Sequence, residues 1–380
     1  MPATTSLCDE LSQHQANIKD AYRIDGTLHF KTLTNSLCNP PVYLYKLEGE
    51  TEIPIGVLKP EIENHSFANS RFAMLDEMSQ NGFKFHPTIY KNKNGDYLTK
   101  FGSTYYSLIE YIIPDPGHPE KNMKFADMVT LTARFHAASQ HLTYRPELVF
   151  SRYDLHMSRQ HIIDELDTLG IKTDFFNSKS WQRFLPLYRY FSSPAAKALF
   201  ALLPKQIING DNSTGNIIFH AAEAYHIDLD TRRYDVRLYD FSSFIRHSTD
   251  VIEDEYFKLA ESGKLFSIIE EHYNITPLTQ IEKDNFHLIL AFSYTEFISW
   301  ALNRIKEQAQ NEQYEPVNRL MNLIQHRVNC IIKQFDGKLL DEKKFMAASN
   351  QDLANNNATL FADHRSPDSA QRNPGMLPTL

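Results

Sequence analysis

A chain of 380 residues with 42% hydrophobic content carries enough apolar material for a sizeable core and is neither a disordered nor a fibrous sequence. Its formal net charge of −8 argues against nucleic acid or an anionic membrane surface as the main partner, since such binding depends on clustered Lys and Arg. Cys8, Cys38 and Cys330 are odd in number and far apart, which suits neither a disulfide scaffold nor a zinc site, and the N-terminus lacks a basic region followed by an apolar run.

The longest apolar stretch, residues 286–302, is interrupted by Thr295 and Glu296, so no membrane span is expected. The chain reads as cytoplasmic, signal-independent secretion being the exception that this test does not see. In chain order, residues 1–25 are polar and read as a helix packed on the outside. Short β-prone runs at 28–33, 42–47 and 53–58 predict the antiparallel sheet of a small lobe. Residues 64–81 set Phe67, Met74, Leu75 and Met78 on a helical stripe and stop at Asn81-Gly82. Asn94-Gly95 suits a type I′ hairpin turn leading into a strand at 97–100. Residues 106–112 form the last strand of the lobe and run into the breaker-rich Pro114-Asp115-Pro116-Gly117.

Beyond Pro119 the pattern is mainly helical. A helix over 123–140 buries Phe125, Met128, Val129, Leu131, Thr132 and Phe135, with His136 a structural histidine near its end. Further helices are expected at 151–169, 181–190, 194–203, 250–262, 264–273, 279–308 and 315–335. His156 and His161 are five apart and fall on different helical faces, which makes a metal pair unsuitable. Phe292, Tyr294, Phe297 and Trp300, with Glu296, are either plain core or the wall of a pocket for a cationic group. From Ala347 the chain is rich in Asn, Ser, Asp and Pro and is expected to be disordered. The class is α+β, divided as 1–113, 114–345 and the tail 346–380.

The chemistry is concentrated in Ile207-Ile208-Asn209-Gly210-Asp211-Asn212-Ser213-Thr214-Gly215-Asn216-Ile217-Ile218-Phe219, followed by Ile227-Asp228-Leu229-Asp230. Taken alone, the first segment could be a β-hairpin with an Asn/Ser/Thr/Gly turn. With the later acids it has the layout of a phosphotransfer site, in which one carboxylate accepts a proton from an attacking hydroxyl and oxygen ligands hold Mg²⁺. Asp211 is then the base, and Asn216 and Asp228 are the metal ligands.

These segments resemble the aminoglycoside phosphotransferase and choline kinase-like family of small-molecule kinases. Its loop H-G-D-x-x-x-x-N precedes I-D-[FWL]-[DE] and Y-D-[LF]-[AS]; the chain has Asn209-Gly210-Asp211 to Asn216, Ile227 to Asp230, and Tyr239-Asp240-Phe241-Ser242. Leu108-Ile109-Glu110-Tyr111-Ile112 looks like the hinge and Ala133-Arg134-Phe135-His136-Ala137 like the helix that follows it; the resemblance spans roughly residues 30 to 245. It implies a two-lobed protein kinase-like fold, ATP (or GTP) with Mg²⁺, and a small-molecule hydroxyl as acceptor. It also implies that Lys59 holds the α- and β-phosphates, that Ser36 in the turn 34–39 lies at the phosphates, that main-chain groups of Glu110 and Ile112 bind the base, and that Asp230 assists at the metal. Arg237 would anchor the loop, Arg232 and Arg233 stay open, and Asp240 would bond backbone groups at the start of its helix.

Two positions depart from the pattern. Asn209 replaces the histidine, and Arg71 stands where a glutamate would pair with Lys59, so Glu63, Asp76 or Glu77 would have to take that part or the lysine be held another way. The alternatives are a catalytically impaired nucleotide-binding or protein-interaction module, a kinase-like enzyme acting on a protein, or one transferring another part of the nucleotide. Acceptor choice is expected in the helices after Asp250.

Overall fold

The computed structural model describes residues 7–33, 41–61, 65–115, 124–142, 174–191, 193–229, 232–247, 258, 263–310 and 314–335. Alternating β-branched and aromatic residues build an antiparallel sheet from β1 (His29–Thr32), β2 (Val42–Glu48), β3 (Thr51–Glu61), β4 (Ile89–Tyr90), β5 (Leu98–Phe101) and β6 (Thr104–Ile109). Its order is β1-β2-β3-β6-β4, with β5 also on β6. On one face Val42, Leu44, Leu58, Tyr106 and Leu108 cluster with Leu11 and Ile18. Those two come from α1 (Leu7–Gln13) and α2 (Gln15–Tyr22), so the expected outer helix is a pair that completes a small core of its own.

On the other face Tyr43 lies opposite Val57, and Val57 opposite Ile109, while Lys59 lies opposite Ser107. The third strand runs past the expected 53–58 to Glu61 and includes Lys59. A side chain at Gly56 would meet Ile109 O at 2.6 Å, so only glycine lets β3 approach β6 this closely. The turn at 92–96 is not a hairpin, because β4 and β5 lie along the same edge of β6 rather than on each other. Among these residues only Gly95 takes a positive φ (88°), whereas a type I′ turn needs two in succession. Asn92 shapes the turn instead, its Oδ1 accepting from the N–H groups of Asn94 at 2.9 Å and Asp96 at 3.1 Å.

Helix α3 (His65–Gln80) buries Met74 and Met78 completely, and Gly82 ends it with φ 95°. The remaining helices are α4 (Phe125–Ser139), α5 (Lys179–Phe191), α6 (Pro194–Leu202), α7 (Tyr239–His247), α8 (Lys264–His272), α9 (Gln280–Gln310) and α10 (Tyr314–Phe335). They agree closely with the periodicity. Those expected at 151–169 and 250–262, with His156 and His161 and the tail from 346, lie outside the described residues, Lys258 apart.

Helix α9 settles most of its aromatic set as core. Phe292 packs on Phe191 and Phe200 at 5.3 and 4.9 Å between ring centroids, and Tyr294 is fully buried. Glu296 accepts from Arg233 at 3.1 Å and from the Tyr239 hydroxyl, so an internal guanidinium takes the place of an external cation. Trp300 alone of the set stands exposed (42%). Among the described residues no helix is long and apolar enough to cross a membrane.

Candidate active site

Strand β7 (Lys205–Ile208) pairs with β10 (Arg233–Val236), and β8 (Ile217–His220) pairs with β9 (Glu223–His226). The 209–216 segment is therefore not a hairpin turn but a crossing between two ribbons. Asp240, fully buried on α7, fixes its start: Asp240 Oδ2 accepts from Asn209 N at 2.9 Å, and Oδ1 from Gly210 N at 2.7 Å. This corrects the expected role, because Asp240 reaches back to the crossing instead of capping its own helix. His136 on α4 lies between Asp240 Oδ2 and the Tyr273 hydroxyl, 3.0 Å from each, and is structural as expected. Asn209 Nδ2 donates to Asn212 Oδ1 at 2.6 Å, and Asn212 Nδ2 donates to Thr132 Oγ1 at 3.1 Å. An amide thus braces the loop at the position where the resemblance has histidine.

The sequence-predicted residues then come together. Asn216 Nδ2 donates to Asp211 Oδ2 at 3.0 Å and to the Asp211 carbonyl at 3.2 Å. Ile227 N donates to Asn216 O at 2.9 Å, which brings Asp228, the next residue, beside Asn216. Asp228 Oδ1 in turn meets Lys59 Nζ at 3.0 Å. Asp211 with Asn216, and Asp228 with Lys59, are thus two contacting pairs joined through the main chain of Ile227. Ser36 and Asp230 lie outside the described residues.

At the hinge, Glu110 N donates to Thr88 O at 2.8 Å, and Glu110 Oε2 accepts from Thr88 N at 2.9 Å. Of its main-chain groups, Glu110 therefore has the carbonyl left to offer a base. Tyr111 packs against Tyr43 at 4.5 Å, and Tyr43 stacks on Tyr45 at 5.3 Å, giving the inner sheet face an aromatic row beside the hinge. The chain beyond is tied to the β8–β9 ribbon: His220 Nδ1 lies 2.8 Å from Ile113 O, and Asp115 N donates to Phe219 O at 2.8 Å. The Asp115 carboxylate also accepts from Ala221 N and Ala222 N at 2.9 and 2.8 Å.

Arg71 finds its acid two residues beyond Lys59 on β3. It pairs with Glu61 at 2.6 Å, while Asp76, one of the candidate substitutes, pairs with Lys91 at 3.0 Å. Lys59 pairs with Asp228, and Glu63, another of the candidates, lies outside the described residues. Arg237 anchors structure as expected, with Glu282 at 2.6 Å and Pro277 O at 2.8 Å. Arg233 is likewise internal, bound to Asp235 at 2.8 Å and to Glu296, and Arg232 donates to Arg71 O at 3.2 Å.

Two residues at the base escaped the sequence reading. His247 Nε2 lies 3.2 Å from Asp211 Oδ1, and Arg246 Nη2 lies 3.8 Å from the same oxygen. The signal was the spacing of Asp240 and His247, seven apart and so on one helical face. Burial pushes the Asp211 pKa up, but the His247 hydrogen bond, the neighbouring positive groups and Asn216 outweigh it, and the net shift is downward. Burial, with the Arg246 charge, pulls His247 down against the opposing Asp211. Asp211 is thus kept ionised and His247 neutral near pH 7. As to a cation, Asn216 spends its amide N–H on Asp211 and retains its carbonyl oxygen, and Asp228 offers a half-exposed carboxylate. Both are hard oxygen donors of the type Mg²⁺ and Ca²⁺ take.

No family model and no curated protein matches the sequence. Solved structures do match. A choline/ethanolamine kinase family protein from Mesorhizobium loti superposes with a TM-score of 0.54 at 13% identity, covering 90% of this chain and 99% of that one. A spectinomycin phosphotransferase in complex with ADP and spectinomycin gives 0.52 at 13% identity, covering 89% and 98%. An amicoumacin kinase in complex with AMP-PNP, Ca²⁺ and Ami gives 0.51 at 13%, covering 82% and 92%. The chain has the protein kinase-like fold of small-molecule kinases. Identity this low speaks to architecture alone, and the two-lobed α+β architecture is the one that the motifs led us to expect.

Proposed function

We propose that the protein is a Mg²⁺-dependent phosphotransferase that moves the γ-phosphoryl group of ATP, or GTP, to a hydroxyl of a small molecule. The observation that carries this reading is the convergence of Lys59 on Asp228 and of Asn216 on Asp211, the two pairs being joined through the main chain of Ile227. Asp211, held ionised, accepts a hydrogen bond from the acceptor hydroxyl and takes its proton as the oxygen bonds to phosphorus. Asn216 and Asp228 would hold the cation, assisted by Asp230. When bound, it neutralises charge on the phosphate oxygens. Lys59 would take the α- and β-phosphates, assisted by Ser36. The Glu110 carbonyl and the Ile112 N–H would bind the base next to the Tyr43–Tyr111 pair.

Residues 1–113 would then serve the nucleotide and 114–345 the acceptor and the chemistry. Nucleotides and a divalent ion in the structural neighbours, and spectinomycin in one of them, support this class of ligand. The non-catalytic alternative rested on Asn209 and Arg71. Asn209 braces the loop, and Arg71 has a partner of its own, so neither favours lost chemistry. The test is incubation with Mg-ATP and a panel of amino alcohols, sugars and aminoglycosides, read by product mass, with Asp211→Asn as control. Turnover that survives Asp211→Asn, or a protein that binds Mg-ATP yet phosphorylates nothing, counts against the reading.

A further inference from the structure

Helix α7 holds the 209–216 crossing at both of its ends. Near its start Asp240 grips the main chain of Asn209 and Gly210, and two turns later, about 10 Å along the axis, His247 reaches the side chain of Asp211. His247 Nε2 lies 3.2 Å from Asp211 Oδ1 and 2.7 Å from Arg246 Nη2. A guanidinium only donates and a carboxylate only accepts, so one ring nitrogen stands between an obligate donor and an obligate acceptor. It serves one at a time: protonated, Nε2 donates to Asp211, and bare, it accepts from Arg246.

The other contacts decide between them. Arg246 is already engaged with Ser293 O at 2.8 Å and Ser243 Oγ at 3.2 Å, and its guanidinium lies 5.4 Å from the Phe297 ring centroid. Asp211 Oδ2 is served by Asn216, whereas the nearest donor to Oδ1 among the described residues is His247. The Nε2–H tautomer is the one that gives both Asp211 oxygens a donor, at the expense of the contact with Arg246. The ring is kept in place by edge-on packing against Phe297, 6.1 Å away at 88°.

We propose that His247 is a positioning residue for the base, its Nε2–H fixing Asp211 Oδ1 so that the carboxylate presents its remaining lone pairs to the acceptor hydroxyl. This rests on the phosphotransferase reading. Removing the donor lets the carboxylate turn, which lowers turnover while leaving the nucleotide site, built by Lys59 and Asp228, untouched.

The test compares His247→Phe, which keeps a ring against Phe297 without a donor, with His247→Gln, which keeps a donor, in the full chain. His247→Phe is expected to lower kcat roughly 10- to 100-fold, less than loss of the base itself, with KM for nucleotide and the melting temperature little changed. His247→Gln is expected to recover most of that loss. In nitrogen-detected NMR, Asp211→Asn should shift the His247 Nε2 signal. Wild-type kcat in His247→Phe, equal losses in both variants, or an imidazole signal indifferent to Asp211→Asn would overturn the assignment. The NMR comparison decides it if His247→Phe does not fold. Absence of any phosphorylated acceptor with the unsubstituted protein overturns the kinase reading and the catalytic role of His247 together, whereas turnover that ignores His247→Phe overturns the second alone.

Discussion

The Glu61 carboxylate and the Arg71 guanidinium meet at 2.6 Å with side chains only 3% and 4% exposed, joining β3 to α3 with charges placed opposite to the family pattern. Ser107 donates to the second Glu61 oxygen at 2.6 Å. A buried pair broken on one side leaves an uncompensated charge, so Glu61→Ala or Arg71→Ala should each cost about 3–5 kcal/mol in urea unfolding. Arg71→Glu, which restores the family residue, should be worse than alanine because it buries two carboxylates together. The double change Glu61→Leu with Arg71→Met should be far milder than either single alanine change.

The Lys59–Asp228 contact predicts how ligands divide between the two side chains. Asp228→Ala should remove the divalent-dependent part of nucleotide affinity, seen in calorimetry with and without chelator. Lys59→Ala should weaken triphosphate binding more than adenosine binding, since only the former presents the charge. Equal loss for both ligands would point to a folding defect instead.

His226 is fully buried, and burial drives its pKa down from 6.5 to about 3. The unfolded chain therefore binds a proton, between those two values, that the folded protein refuses. The contribution is intact above pH 6.5 and is lost as pH falls toward 3, with a slope of up to about 1.4 kcal/mol per pH unit. Urea midpoints between about pH 7 and pH 5 should fall less steeply in His226→Gln than in the unsubstituted chain. Parallel curves would contradict a neutral buried imidazole.

At the tip of the β8–β9 ribbon Ala221 and Ala222 adopt φ of 51° and 64°, a region costing a residue with a Cβ roughly 1–2 kcal/mol. Ala222→Gly should therefore raise stability by about 1 kcal/mol, after the entropy cost of glycine. Asp115→Ala should lower it, because two N–H groups lose their acceptor. Thermal melts of both variants check the signs.

What was legible in the sequence was what local spacing determines. Asp211 and Asn216 share one short crossing and Asp228 follows from the next ribbon, so residue order nearly fixes their meeting; Lys59 was singled out by the family resemblance and not by its place on a strand. Partners chosen by packing were not legible. Glu61 and Arg71 find each other across a strand–helix contact, and Arg246 and His247 reach Asp211 only because α7 docks under the crossing. The Asn94-Gly95 dipeptide misled for another reason. Its composition fits two kinds of turn, and the Asn92 side chain, not the pair itself, selected the one that forms.

The ties that bind Ile113 and Asp115 to the β8–β9 ribbon bear on how the cleft can open. A sheet hung on residues 110–115 has no free joint there. The ribbon's tip is fastened to Ile113 and Asp115, and its root, four residues or about 13 Å away, carries Asn216 on one side and leads to Asp228 on the other. Torque at the tip is delivered to the root. Swinging the sheet and setting the distance between those two oxygen donors are then a single motion of one stiff lever.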